Sequence, residues 1–307
     1  MKKAKGKRIK KALIIFNPVS GQAFWRYKAQ KRIENYLKLK RIKYTFFITK
    51  KGTYDELNQF LNNNYDIIVA AGGDGTIRIV VQWMLKNSIQ IPLGIIPLGT
   101  TNAYAMGLGV PSTLKRALRF AIKNKALPQD VGLVNNKTYF LIAAGAGFSA
   151  KFSKTTTRKL KKVWGTFAYF ALAIKHSYDK DYIEGELEID GVKKPIKTKA
   201  IIAFNVRSSL NINPYVPLEV NPGVLDILIA DEINMLNVLR LAKRMSDPKE
   251  RTMKKNRVKL VRAKKIIFKP NKKTLLVVDG DTWIGDELKI EIIPNAINIV
   301  CERQLQK

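Results

Sequence analysis

Between residues 12 and 96 the chain alternates strictly between short apolar runs and segments whose apolar residues recur every three or four positions. The apolar runs are Ala12–Phe16, Tyr44–Thr49, Asp66–Ala71 and Pro92–Ile96, each of strand length. The intervening stretches Lys28–Leu39, Tyr54–Leu61 and Ile77–Lys86 read as helices; in the first, Ala29, Ile33, Tyr36 and Leu37 share one face. Runs that are apolar throughout belong in a parallel sheet covered on both faces, and right-handed crossovers then favour a doubly wound, Rossmann-like α/β domain. Beyond about Leu127 the pattern changes to short strands punctuated by Asn135-Asn136, Asp190-Gly191, Asn221-Pro222-Gly223 and Asp279-Gly280. That spacing predicts a C-terminal antiparallel β-sandwich domain. We place the boundary at Pro128, giving an α/β domain over 1–127 and a β-rich domain over 128–296, with 297–307 free to return and complete the first.

A chain of 307 residues with 46% hydrophobic content is long and apolar enough for two buried cores, which excludes a disordered protein. Its 56 basic and 24 acidic residues leave a net charge of +32, so an anionic surface or substrate is the expected partner. Cys301 and His176 are the only residues of their kinds; this excludes a disulfide framework and a zinc site of several Cys and His ligands, and points to the reducing cytoplasm. The basic N-terminus runs into a five-residue apolar stretch with no small-residue cleavage site, so it reads as a first strand and not as a leader. No segment reaches the roughly 18 apolar residues of a transmembrane helix, the best being 163–174, interrupted by Gly165 and Thr166. The chain is expected to touch a membrane without spanning it.

Three loops stand at the carboxyl ends of the predicted strands, where open α/β sheets bind ligands. Gly72-Gly73-Asp74-Gly75-Thr76 lies between an apolar strand and a helix, so its bare backbone N–H groups and the helix dipole would suit a phosphate. It is not a Walker A loop, and a plain strand-to-helix turn is the competing reading. Asn17-Pro18-Val19-Ser20-Gly21 follows the first strand, and Pro97-Leu98-Gly99-Thr100-Thr101-Asn102 follows the fourth. Three such loops converging on one edge are hard to explain as turns alone. Further along, Asp279-Gly280-Asp281 between apolar runs reads as a hairpin turn, a reading compatible with a chemical role for its carboxylates.

With these residues in hand, the sequence resembles the soluble bacterial diacylglycerol kinases and related lipid kinases, whose catalytic domain is shared with sphingosine and ceramide kinases. NPVSG, GGDGT and PLGTTN occur in that family's order, as do Asp130-Val131-Gly132, the GAGF of Gly145 to Phe148, and Asp279-Gly280-Asp281. GGDG alone also occurs in NAD kinases and phosphofructokinases. The resemblance implies transfer of the γ-phosphate of ATP to a lipid hydroxyl, giving phosphatidic acid from a diacylglycerol-like acceptor, in a cleft between the two domains. Carried over by position, it implies nucleotide contacts at Asn17, Thr49, Gly73, Asp74, Gly75, Thr76, Gly99, Thr100 and Asn102, with Asp279 as general base. Magnesium would be held by Asp281 with Asp74 close by.

The sequence departs from the family pattern at four places. Asp281 stands where the family has Glu, Ala103 and Ser149 stand where many members have Asp, and Pro222 replaces the first Asp of a D-G-x-L-D segment, here Pro222 to Asp226. In some members that aspartate holds a structural magnesium; proline cannot, so no second metal site is expected.

Charge is unevenly placed, with seven basic residues in 1–11, six in 151–162, and twelve against two acids in 240–265. At about 1 kcal/mol per basic side chain near an anionic leaflet, five engaged residues would localise the chain measurably. The aromatics Trp164, Phe167 and Phe170 next to the second cluster suit either a membrane interface or a helix core. Specific nucleic-acid binding is not expected, because no recognisable nucleic-acid motif accompanies the charge. The expected partners are therefore ATP and a lipid at an anionic membrane surface, from the cytoplasmic side, with a homodimer left open. The remaining alternatives are a kinase for a sphingoid or glycolipid or for NAD, and a catalytically silent lipid-binding relative.

Overall fold

The computed structural model describes residues 9–19, 23–50, 55–147, 182–205, 223–231, 253–255 and 258–302. Residues 1–8, the basic and aromatic segment 151–170, most of the basic run 240–265, and Ser20, Gly21, Phe148, Ser149, His176 and Pro222 lie outside them. The chain divides into two compact units, 1–129 with 296–303, and 130–295 with 304–307.

In chain order the first unit contains β1 (Lys11–Phe16), α1 (Ala23–Leu39), β2 (Lys43–Ile48), a 3-10 turn Asp55–Phe60, β3 (Ile67–Gly72), α2 (Asp74–Lys86), β4 (Leu93–Pro97), α3 (Ala103–Gly107) and α4 (Leu114–Lys123). Its sheet runs β2-β1-β3-β4, all parallel, and the last strand of the chain joins it through the parallel pair Ile299 and Leu93. The order steps one way from β1 to β2 and the other way from β3 to β4, so right-handed crossovers place α1 and α2 on opposite faces. Every residue of β3 and β4 is buried, as the uninterrupted apolar runs require. Helix α4 seats on β4 at Gly94, where an added Cβ would come within 2.9 Å of Ala121 Cβ.

The second unit is built from β5 (Ala126–Val134), which enters it from the first, then β6 (Thr138–Phe140), β7 (Ala143–Ala146), β8 (Ile183–Ile189), β9 (Val192–Thr198), β10 (Ala200–Phe204), β11 (Leu225–Ala230), β12 (Met253–Lys255), β13 (Val258–Ala263), β14 (Lys265–Pro270), β15 (Thr274–Val278), β16 (Asp281–Gly285) and β17 (Leu288–Val300), which leaves it again. One antiparallel sheet runs β12-β13-β11-β10-β7-β15-β16. The other joins β9, β8, β14 and the start of β17, with the β5–β6 hairpin against β17. Leu187, Phe268 and Ile290 from this sheet pack with Ile201, Ile227 and Leu276 from the first in one buried cluster. The molecule is thus an α/β unit followed by a β-sandwich, as the change of pattern near Leu127 predicts. Two hairpins close on two-residue turns with both φ positive, at Asp190-Gly191 and Asp279-Gly280, the geometry whose twist matches paired strands; Asn135 and Asn136 also have positive φ, but three residues, 135–137, lie between the paired Val134 and Thr138.

Cys301 is buried in the first unit, with Gln129 Nε2 3.5 Å from its Sγ. Burial pushes the thiol up to about 11, so the folded chain holds it as a neutral thiol until the pH approaches that value. A soluble disulfide reagent at pH 8 is expected to label Cys301 only after denaturant unfolds the chain; labelling at the native rate of a small free thiol would contradict this.

Candidate active site

The reversal of strand order falls between β1 and β3, and open α/β sheets bind ligands outside the carboxyl ends of strands at such a switch. Asn17 stands there, one residue past β1. Its backbone N–H donates to Ala71 O (2.9 Å), its Nδ2 donates to Thr76 Oγ1 (2.9 Å), and its Oδ1 accepts the Val19 N–H (2.9 Å). Asn17 therefore ties the loop after β1 to the first turn of α2. On the other side of β1, the buried Thr49 extends the pairing by donating its N–H to Phe16 O.

The GGDGT segment is tighter than its sequence suggests. β3 runs through Gly72 and α2 begins at Asp74, so Gly73 alone joins strand to helix, and its carbonyl accepts the N–H groups of both Thr76 and Ile77. An added Cβ on Gly72 would meet Thr76 Oγ1 at 2.4 Å. Gly73 faces Gly99 of the PLGTTN loop across bare backbone: a Cβ on Gly99 would lie 2.5 Å from Gly73 Cα, and one on Gly73 would lie 3.1 Å from Gly99 Cα. The Leu98 N–H to Gly72 O bond (2.8 Å) holds the two loops in this contact.

Asn102 shapes the second loop. It sits in the left-handed region at φ 50, and its side chain folds back on Gly99, Oδ1 accepting the Gly99 N–H and Nδ2 donating to Gly99 O, both at 2.9 Å. That leaves Asn102 unable to cap α3, and Asp74 does so from the neighbouring loop, accepting the N–H groups of Ala103 (3.1 Å) and Tyr104 (3.0 Å). Gly75, in the first turn of α2, and Thr100, on the second loop, lie exposed, and a Cβ on Gly75 would have no atom within 4 Å. Bare, open backbone at the N-terminus of a 13-residue helix suits a phosphate.

Burial pushes the Asp74 carboxyl above its ordinary 3.8, outweighing the N–H bonds from Tyr104 and Ala103. Folding thus favours the protonated form. The stability this group contributes is fully present below pH 3.8 and is lost as the pH rises through its folded value. A carboxyl-carbon NMR titration should place the Asp74 midpoint above 3.8, whereas a midpoint at or below it would contradict the burial argument.

In the second unit, Asp279 occupies the first position of the β15–β16 turn at φ 46, and Gly280 takes φ 94 beside it. The Asp279 carboxylate accepts three consecutive backbone N–H groups, from Leu141 at Oδ2 (2.8 Å) and from Ile142 (2.9 Å) and Ala143 (3.0 Å) at Oδ1. Its own N–H returns to Ala143 O (2.9 Å). Three of the roughly four acceptor positions of a carboxylate are thereby directed at one strand entrance, which fixes its orientation. Asp281, two residues on, is exposed at the start of β16.

Asn205, which the sequence does not single out, grips the same strand entrance from the opposite side. Its N–H donates to Ile142 O (3.0 Å), and its Nδ2 donates to Asp130 O (3.0 Å) and Leu141 O (3.2 Å). Asp130 in turn accepts the N–H groups of Gly223 and Asn295, each at 2.9 Å. Replacing Asn205 by Ala leaves the Asp130 and Leu141 carbonyls without this donor, and chemical denaturation is expected to show a loss of about 1–3 kcal/mol. A loss near zero would show that the clamp is not needed.

The loops of the first unit thus bring Asn17, Gly73, Asp74, Thr76, Gly99 and Asn102 into mutual contact, while Thr49 joins through its backbone. Among the described residues no cluster of three or more His, Cys, Asp or Glu side chains could hold a cation by itself. An oxygen-only donor set of one or two carboxylates still fits magnesium, which keeps several waters and shares phosphate oxygens.

Comparison with known proteins bears on the family and the fold. Residues 11–134 match the family described as diacylglycerol kinase catalytic domain, and residues 143–301 match the YegS C-terminal NAD kinase beta sandwich-like domain. Relatives named diacylglycerol kinase in Staphylococcus aureus strains JH9 and Newman are 28% identical over 245 residues, covering 76% of this chain and 76% of each relative. Among solved structures, a diacylglycerol kinase from Bacillus anthracis strain Sterne superposes with a TM-score of 0.72 at 20% identity, over 97% of this chain and 98% of that one. A second chain from that strain, provisionally assigned the same activity, gives a TM-score of 0.78 at 21% identity over 98% of both. At these identities the two structures establish the fold. With both family domains matched in order along nearly its whole length, the chain belongs to the diacylglycerol kinase family that joins this catalytic domain to a YegS-type C-terminal domain.

Proposed function

We propose that this chain transfers the γ-phosphate of ATP to the hydroxyl of a diacylglycerol-like lipid, making phosphatidic acid. The observation that carries the reading is the glycine-on-glycine contact of Gly73 and Gly99 beside the open N-terminus of α2, at the switch point of the sheet. A nucleotide triphosphate would lie along the bare backbone of Gly73, Gly75 and Gly99 and the exposed Thr100, with the buried Thr76 behind them in the first turn of α2. Asn17, Asp74 and Asn102 hold those loops in place through the bonds described above, and Thr49 buttresses the edge.

Asp279 accepts the proton of the attacking lipid hydroxyl as its oxygen bonds to the γ-phosphorus and the bond to the ADP oxygen breaks. Its three N–H partners hold the carboxylate in one orientation. Asp281, with Asp74 near the phosphates, would hold magnesium, which supplies charge stabilisation of the transferring phosphoryl group. The charge of +32 suits work at an anionic membrane surface on the cytoplasmic side. Among the described residues no helix is long and apolar enough to cross a membrane.

A second acceptor is worth testing because the matched C-terminal domain is described as NAD kinase-like. In one competition assay, equal amounts of diacylglycerol in mixed micelles, a sphingoid base and NAD are offered with magnesium ATP, and products are identified by mass. Phosphatidic acid as the dominant product is expected; a phosphorylated sphingoid base or NADP in its place would overturn the acceptor assignment.

A further inference from the structure

A second concavity lies at the opposite end of the first unit's sheet, where strands begin. It has a volume of about 930 Å³ and is lined by residues that precede or open β2, β3 and β4, among them Ile42, Ile67 and Pro92. The GGDGT and PLGTTN loops follow those strands, so a strand of six residues separates the two ends by about 20 Å. A cavity of this size is within the range that buries a small organic ligand.

Its chemistry is basic over an apolar floor. Lys40, Lys123 and Lys125 line it and form no ion pair among the described residues. Arg119 acts electrostatically on Tyr36, whose ring is part of the wall. Asp66 is the one carboxylate in the lining, and its Oδ2 accepts the N–H groups of Lys10 and Lys11 at 2.9 and 3.0 Å. The carboxyl ends of α1 and α4 add about half a negative charge each. Three lysines line the cavity and Arg119 acts on Tyr36 in its wall, so the surroundings stay net positive, which suits a phosphate monoester near neutral pH.

Tyr36 adds a second indication. Its hydroxyl is sealed from solvent with no hydrogen-bond partner, a costly arrangement for a buried donor. Burial raises its pKa, Arg119 opposing, so the group stays a neutral donor. The ring lines the cavity, so a turn that brings the hydroxyl into it would let a phosphate oxygen supply the missing acceptor.

We propose that this cavity is a binding site for a phosphate monoester carrying an apolar body, separate from the nucleotide loops. Lys40, Lys123 and Lys125 hold the phosphate as point charges, and Ile42 and Ile91 receive the apolar part.

The test uses the full chain with labelled isoleucine δ-methyl groups. Ile42, Ile91 and Ile122 report on the cavity, and Ile77, in the first turn of α2, reports on the nucleotide loops. Three probes are titrated: short-chain phosphatidate below its micelle concentration, glycerol phosphate and inorganic phosphate. The expected result is a saturable shift of the three cavity methyls. In the variant Lys40→Glu/Lys123→Glu/Lys125→Glu the affinity falls at least about tenfold, while the remaining methyl spectrum is unchanged; Tyr36→Phe weakens binding about fivefold, the loss of one hydrogen bond. Response only to phosphatidate supports the proposal with a lipid headgroup as the source; a response to glycerol phosphate or inorganic phosphate as strong as that to phosphatidate removes the apolar body and overturns it. No saturable shift at the cavity methyls with any probe, or unchanged affinity in the triple variant, overturns the proposal.

Discussion

Replacing Gly99 with alanine is expected to reduce phosphoryl transfer by about a hundredfold or more while both units stay folded. The new Cβ would sit 2.5 Å from Gly73 Cα and 2.8 Å from Asn102 Oδ1. The first neighbour is backbone at the start of a helix and cannot rotate away, so the loops must part by about an ångström. Displacements of that size in a positioned reactant cost about a hundredfold. The same substitution at Gly73 meets Gly99 Cα at 3.1 Å, a contact relieved by a few tenths of an ångström, and should be milder. Gly75→Ala meets no atom within 4 Å and lies inside α2, so it should raise stability by about 0.5–1 kcal/mol. Any loss of nucleotide binding in that variant reports directly on a ligand against the backbone. Wild-type turnover in Gly99→Ala would remove the loop contact from the account.

The second large effect is expected at Asp279. Asparagine there offers one acceptor oxygen and turns a donor toward at least one of the Leu141, Ile142 and Ala143 N–H groups. Stability should fall by about 1–3 kcal/mol, and turnover by about a hundredfold to ten-thousandfold if the carboxylate takes the lipid proton. Asn205→Ala separates these contributions, because it loosens the same strand entrance from the other side and leaves the carboxylate intact. Matched for stability, Asp279→Asn should lose far more turnover than Asn205→Ala. Equal losses would make Asp279 a structural turn residue and remove its role as base.

Much of the fold is legible in the sequence because it depends on local pattern. The buried strands β3 and β4 read as apolar runs, and the three hairpin turns read from Asn-Asn, Asp-Gly and Asp-Gly. Helix starts are less legible. The spacing predicts helix from Lys28 and from Ile77, whereas α1 begins at Ala23 and α2 at Asp74. In the first case Phe24-Trp25-Arg26-Tyr27 shows no three-to-four apolar period; in the second, Gly73 itself closes the first turn through its carbonyl. The segment predicted as helix over Tyr54–Leu61 forms only the 3-10 turn Asp55–Phe60, too short an amphipathic run to sustain an α-helix.

The candidate site divides along the same line. Its glycines and carboxylates are visible as motifs, but what each does depends on partners far along the chain. Asp74 caps a helix that begins 29 residues later, and Asn205 donates to carbonyls 75 and 64 residues before it. No periodicity encodes such pairs. Asn205 in particular carries no local signal beyond closing an apolar strand, so its clamp on Leu141 and Ile142 becomes visible only in three dimensions.

The most direct test of the central claim is transfer of labelled γ-phosphate from ATP to diacylglycerol in vesicles, with wild type and Gly99→Ala measured side by side. Labelled phosphatidic acid is expected with wild type, more of it when the vesicles carry anionic phospholipid and less as salt rises, with a collapse of the signal in the variant. Binding of ATP without label in any lipid under these conditions would contradict the assignment as a lipid kinase.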